Sequence, residues 1–211
     1  MLGYWVEQYN FIHKIIMGVS LKKGSNVSLS EQVPGLTTVR VALGWEERAT
    51  EGEDFDLDAS CFMLTVAGKV RNDNDFIFYG QLRSPCGSVE HSGDNLDGAT
   101  EEDEEDAEVL TVRLDKVPAD IAKLVFTVTI YEFDLRKQNF GMVDNAYIRV
   151  INDDNNEEIA RFDLSEDANT CTSIIFGEIY RDDEAWKFRA IGQGFNYGLD
   201  RLARSYDVDI E

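Results

Sequence analysis

Gly52-Glu53-Asp54-Phe55-Asp56-Leu57-Asp58-Ala59-Ser60 sets carboxylates in alternation with apolar side chains. Successive side chains of an extended chain point to opposite faces, so Asp54, Asp56 and Asp58 share one face and Phe55 and Leu57 take the other. Three like charges on one face repel, and no basic residue adjoins them in sequence. The segment is therefore either a solvated acidic strand face or one wall of a site for a hard divalent cation. Calcium is the natural candidate because it takes oxygen ligands. At ~3.3 Å per residue, Asp54 and Asp58 lie about 13 Å apart along a strand. One ion thus reaches two neighbouring aspartates at most, and all three take part only if two ions bind or the strand bulges.

Calcium takes roughly six to eight oxygens, which several converging loops supply more readily than one strand. Four further segments are rich in oxygen donors. Asn72-Asp73-Asn74-Asp75 fills a hairpin loop, and Gly93-Asp94-Asn95-Leu96-Asp97-Gly98 is a glycine-bracketed turn. Residues 101–106 are all acidic, and residues 153–158 close a later hairpin as a polar turn. The acidic run reads equally as a solvated loop. An EF-hand is excluded: counting from Asp54, the sixth position is Ala59 rather than Gly and the twelfth is Thr65 rather than Glu.

Enzyme signatures are missing. The chain has no G-x-S-x-G, no Walker-type glycine loop and no H-E-x-x-H, and neither His13 nor His91 marks an obvious catalytic nucleophile. Acids abound, but nothing singles out a pair for glycoside chemistry. The three cysteines, Cys61, Cys86 and Cys171, form no C-x-x-C, and the two histidines complete no zinc pattern. They read as free, buried thiols of a reducing cytoplasm, with Cys86 in the turn Ser84-Pro85-Cys86-Gly87 the most exposed.

These groups need a scaffold, and the hydrophobic patterning supplies one. Val, Ile, Phe, Tyr and Thr cluster in short runs at 37–45, 54–66, 76–82, 109–114, 123–132, 146–152, 158–164, 172–180 and 185–191, separated by polar or glycine-containing turns. Only 198–206 has helical spacing, with Leu199, Leu202 and Ala203 on one side. Gly192-Gln193-Gly194-Phe195 reads as a tight turn into that helix. The expected fold is an all-β antiparallel sandwich with a short C-terminal helix and few other helical turns, in one domain over 17–211. After the aspartates, the even positions of the 54–66 strand become Phe62, Leu64 and Val66, while the odd positions from Phe55 to Met63 are apolar throughout. The strand therefore enters a two-sided core just past its acidic start, and the carboxylates stand at the rim.

With 211 residues and 43% hydrophobic content the chain can bury a sizeable core. Its net charge of −21 argues against attraction to duplex nucleic acid or an anionic membrane. No apolar run approaches bilayer length. Residues 1–16 carry Phe11, Ile12, Ile15 and Ile16 but also Glu7, and they lack a signal-type cleavage site. They read as an N-terminal extension before Met17-Gly18-Val19-Ser20-Leu21.

The ordered motifs Val19-Ser20-Leu21-Lys22-Lys23-Gly24, Val39 to Trp45, Asp54 through Ser60, Ser84-Pro85-Cys86-Gly87-Ser88-Val89, Gly93-Asp94-Asn95, Gln138-Asn139-Phe140-Gly141, Phe176-Gly177-Glu178-Ile179-Tyr180-Arg181 and Trp186-Lys187-Phe188-Arg189-Ala190 together resemble the TerD family of bacterial tellurite-resistance and general stress proteins. The resemblance runs from about Met17 to Tyr206. It implies a non-enzymatic, cytoplasmic β-sandwich that binds calcium, two ions being expected. Its partners would be other stress and tellurite-resistance proteins, with indirect membrane association through a partner. The metal ligands it implies are Asp54, Asp56, Asp58, Asn72, Asp73, Asp75, Asp94, Asp103 and Glu105. Two departures bear on the last of these: Asp97 stands where the family usually has Thr, and 99–106 carries more glutamate and less glycine than usual. The alternatives are a calcium-dependent membrane-docking sandwich of the C2 type, handling of tellurium oxyanions by thiols, and nucleotide binding through bridging calcium.

Overall fold

The β-branched and aromatic runs form two stacked sheets in a computed structural model that describes residues 18–47, 55–93, 106, 108–164 and 170–210. Twelve strands are found among the described residues: β1 (Val19–Ser20), β2 (Asn26–Ser28), β3 (Thr38–Glu47), β4 (Leu57–Leu64), β5 (Phe76–Ile77), β6 (Val89–His91), β7 (Glu108–Arg113), β8 (Lys123–Ile130), β9 (Val143–Asn152), β10 (Glu158–Asp163), β11 (Ser173–Asp182) and β12 (Ala185–Phe195). Three short α-helices accompany them: α1 (Leu29–Gln32), α2 (Phe133–Arg136) and α3 (Leu199–Ser205). One sheet has the order β1-β10-β9-β3-β7-β6 and the other β2-β12-β11-β8-β4-β5. All strand pairs are antiparallel except β1 with β10. Among the described residues no helix is long and apolar enough to cross a membrane.

The alternation in β4 does what its sequence predicts. Leu57, Ala59, Cys61 and Met63 enter the main core between the sheets, with Phe126, Ile148 and Val41. Phe62 and Leu64 point the other way, into a second cluster with Phe76, Val125, Ile175 and, from the C-terminal segment, Leu202, Ala203 and Val208. Phe62 stacks on Phe76 with ring centroids 4.4 Å apart, and Phe76 stacks on Phe78 at the same distance. The outer face of this sheet is thus covered by α3 over its apolar half, and Asp58 lies beyond the covered part.

Several elements differ from the sequence reading. β4 ends at Leu64, and Val66 stands in the following turn at 94% exposure. Only Phe76–Ile77 of the expected strand 76–82 pairs with β4; the chain then turns back through a Phe78–Gln81 bridge, closed by Gln81 donating to the Phe76 carbonyl. The segment 192–195 is strand rather than turn, because Gln193, Gly194 and Phe195 pair with Ile175, Ile174 and Ser173. β1, β2 and β6 are too short for periodicity to reveal.

Two of the recognised motifs are halves of one structural unit. In β11 and β12, Gly177 faces Ala190, Glu178 faces Arg189, Tyr180 faces Lys187 and Arg181 faces Trp186. Glu178 is buried and accepts from Lys123 and Arg189 at 3.0 Å each. Arg181 donates to the carbonyls of Ile121 and Val117 and lies 4.2 Å from the Trp186 ring centroid. Gly177 sits where the register shifts, and a Cβ there would come within 2.8 Å of the Arg189 carbonyl oxygen and 2.7 Å of the Phe188 ring. Gly177→Ala is predicted to cost about 2 kcal/mol by overpacking, lowering the melting temperature by about 4–8 °C. Thermal unfolding followed by far-UV circular dichroism measures this.

Candidate functional site

The acidic residues converge, or fail to, according to where each loop leaves the sandwich. At one end lie the start of β4, the end of β6, the start of β7, and the α2 connection from β8 to β9. Asp56 precedes β4 and Asp58 lies within it, opposite Thr129. Both carboxylates are almost buried, at 6% and 5% exposure. The Asp56 carbonyl accepts from Tyr131 N–H at 2.9 Å, which ties the acidic start of β4 to the chain leaving β8.

That connection is shaped by two left-handed residues, Glu132 at φ 47° and Lys137 at φ 56°, which bracket the single turn of α2. The turn brings Arg136 back over the rim. Its guanidinium lies 3.9 Å from an Asp56 carboxylate oxygen, 3.9 Å from Glu132, and 5.4 Å from the Tyr131 ring centroid. Coulombic attraction to Asp56 and the quadrupole of Tyr131 both favour this placement.

The opposite wall was not legible in the sequence. His91 accepts from Gly93 N–H at Nδ1, 3.1 Å, so its hydrogen is on Nε2, which donates to the Ala59 carbonyl at 3.1 Å. Glu108 Oε2 accepts from Ala59 N–H and lies 3.7 Å from His91 Nε2. β5 pairs with β4 only at Cys61 and Phe62, so the free edge of β4 at Ala59 takes both its hydrogen-bonding partners from side chains of the other sheet. Next to this clamp, Asp106 accepts two hydrogen bonds from Arg149 at 2.8 Å and one from Tyr147. Burial first, and then the Asp106 charge, push the Tyr147 phenol up to about 12.

The described flanks of segment 94–105 therefore stand at the same end as Asp56 and Asp58. The loop 72–75 does not. Phe76 pairs with Phe62, four residues beyond Asp58 and so about 13 Å along β4. Its polar groups are engaged locally. Asn72 accepts from Asn74 N–H at 3.1 Å as the cap of a single 3-10 turn, and Asp73 accepts from Asp209 N–H at 2.9 Å. Asp75, fully buried, is held by Arg71 through contacts of 2.7 and 2.8 Å. The structure thus separates Asn72, Asp73 and Asp75 from Asp56 and Asp58, all of them residues that the family resemblance implies as metal ligands. Asp54, Asp94, Asp103 and Glu105 lie outside the described residues. Among the described residues, no group of three or more His, Cys, Asp or Glu side chains is arranged to hold a metal ion.

The three cysteines are free. Burial pushes the Cys61 thiol up, and burial also raises Cys171 against a weaker opposing effect of Lys23. Cys86 behaves differently: partial burial raises it, but hydrogen bonds from Ser84 and Ser88 outweigh that and hold it below the ordinary thiol value. A lowered thiol carries more thiolate at a given pH. Alkylation followed by mass spectrometry should label Cys86 first, with half-maximal rate at a lower pH than a free cysteine. Ser88→Ala should move that midpoint up, and Cys61 should react only on unfolding.

A TerD domain model matches residues 17–206. The chain is 52% identical to the tellurium resistance protein TerD of Alcaligenes sp over 193 residues, covering 92% of this chain and 99% of that protein. It is 49% identical to general stress protein 16U of Bacillus subtilis (strain 168) over 195 residues, covering 92% and 100%. A solved structure of a homologue of telluride resistance protein (TerD) from Streptomyces coelicolor A3(2) superposes with a TM-score of 0.65 over 80% of this chain and 96% of that one, at 22% identity.

Proposed function

Because the chain belongs to the TerD family of tellurite-resistance and stress-response proteins, we propose that it is a non-enzymatic calcium-binding module that docks partners in a cytoplasmic stress complex. The carrying observation is the pair of nearly buried carboxylates, Asp56 and Asp58, at the same end of the sandwich as Gly93 and Asp106, the described flanks of the acidic segment. Carboxylate oxygens at a rim are donors of the kind calcium takes. Asp56 and Asp58 lie only about 7 Å apart along the chain, near enough to serve one ion or two adjacent ones. Bound calcium would supply positive charge between carboxylates that otherwise repel and would link the start of β4 to the segment between β6 and β7. Arg136 beside Asp56 is the on-chain cation that such an ion would meet.

The loop 72–75 takes a structural role in this reading, with Arg71 fixing Asp75 and Asp73 fixing the C-terminal segment. This separates the two acidic groups experimentally. A ligand at 100 times its Kd stabilises by about 2.7 kcal/mol, which for a chain of this size corresponds to roughly 5–11 °C. Millimolar calcium is expected to raise the melting temperature of the wild type and of Asp73→Ala on this scale. The double variant Asp56→Asn with Asp58→Asn should lose the increment. An equal rise in all three proteins contradicts the assignment.

A further inference from the structure

Beside the rim, a cleft of about 250 Å³ opens between the outer face of the β8–β4 half of its sheet and the α2 connection. Its floor carries Asp58 and Thr129, which are 5% and 1% exposed. Its walls include Tyr79, Tyr131 and Leu135, which remain 39%, 42% and 78% exposed. The remaining acidic lining comes from Glu132 and Asp134, and none of the lining residues is basic.

We propose that this cleft binds an organic cation, an ammonium or guanidinium head on an aliphatic stem. The sign of the lining excludes anions: a carboxylate at the floor and two more at the mouth would repel a phosphate or a carboxylate ligand. The neighbouring cations pair with these carboxylates, Lys137 with Asp134 at 3.0 Å and Arg136 with Asp56 and Glu132, but they set two positive charges against Asp56, Asp58, Glu132 and Asp134, so the balance stays negative. The walls select for an apolar stem, because Leu135 and the two tyrosines present apolar area that a bare inorganic ion would leave wet. Tyrosine faces also attract the cationic head, and the chain already displays that chemistry where Arg136 lies 5.4 Å from the Tyr131 centroid. The volume falls below the roughly 300–1,000 Å³ of pockets for drug-sized ligands, which limits the occupant to one side chain or a short amine. The ligand is either a free aliphatic amine or a lysine or arginine side chain offered by a partner protein; the chemistry is the same.

This inference goes beyond calcium binding and does not rest on it, so its test is run in excess EGTA. The full chain is titrated with n-pentylammonium, with 1-pentanol as the neutral isostere, and with the peptide Gly-Gly-Lys-Gly-Gly blocked at both ends, following backbone amide NMR shifts. Pentylammonium should shift residues 129–135 and Leu199 saturably, and pentanol should bind at least about tenfold more weakly. Tyr79→Leu keeps the apolar wall but removes the ring quadrupole, and Leu135→Ser alters an exposed residue; each should weaken pentylammonium binding at least about threefold. Peptide binding more than tenfold tighter than pentylammonium assigns the site to a partner's side chain, and equal or weaker binding assigns it to a free amine. No saturable shift with either cation, pentanol binding as well as pentylammonium, or unchanged affinity in both variants overturns the proposal.

Discussion

The arrangement of the acidic end depends on how β4 finishes its hydrogen bonding. A strand with a partner along only part of one edge leaves backbone groups that must be satisfied when buried. Here β8 covers one edge of β4 in full, while β5 covers the other only at Cys61 and Phe62. Ala59 lies beyond that coverage, and His91 and Glu108 reach across from the other sheet to take its carbonyl and its N–H. The clamp does two things at once. It satisfies an edge, and it fixes the distance between the carboxylate-bearing start of β4 and the strands that flank the acidic segment between them.

From that constraint the division of labour along β4 follows. Past Ser60, which is buried and hydrogen-bonded to Thr127, the strand has apolar side chains on both faces, because the main core lies on one side and the α3 cluster on the other. Before Ala59 the even positions Asp56 and Asp58 carry nearly buried carboxylates that stand beside the α2 connection rather than in the α3 cluster. The mouth left open by α3 and α2 becomes the cleft beside Asp58. A rigid two-sided strand thus holds carboxylates steady at a rim, where loops can present ligands without the site collapsing. The anchors at the other end serve stability instead: Arg71 holds Asp75 and Asp120, and Glu178 gathers Lys123 and Arg189.

Much of this fold was legible in residue order. The period-two pattern of Asp56 through Leu64 correctly placed Phe55 and Leu57 in the core, the aspartates on the other face, and a two-sided core beyond them. Leu202 and Ala203 were correctly placed on the buried side of the terminal helix. What could not be read were effects that depend on partners distant in sequence. Asp75 is a nearer case: Arg71 stands only four residues before it, but residue order does not say whether a carboxylate faces an ion or a neighbouring guanidinium, and the oxygen-rich segment together with the family resemblance grouped it with Asp56. The roles of His91 and Glu108 require knowing that β4 lacks a neighbour at Ala59. Gly192-Gln193-Gly194 looks like a turn because two glycines lower strand propensity. Tertiary pairing with Ile174 and Ile175 overrides that. The segments 176–181 and 186–190 carried a family resemblance, and the structure gives their physical content: a bulge, a buried Glu178 and a capped set of carbonyls.

In the proposed function, calcium is bound where β4 begins and not at the hairpin that follows it. Calcium titration followed by backbone amide NMR shifts tests this most directly. Calcium bound there should give saturable shifts at Asp56–Ala59 and at Gly93 and Glu108, with residues 72–75 unmoved. Shifts confined to residues 72–75, or no saturable response at millimolar calcium, would contradict it.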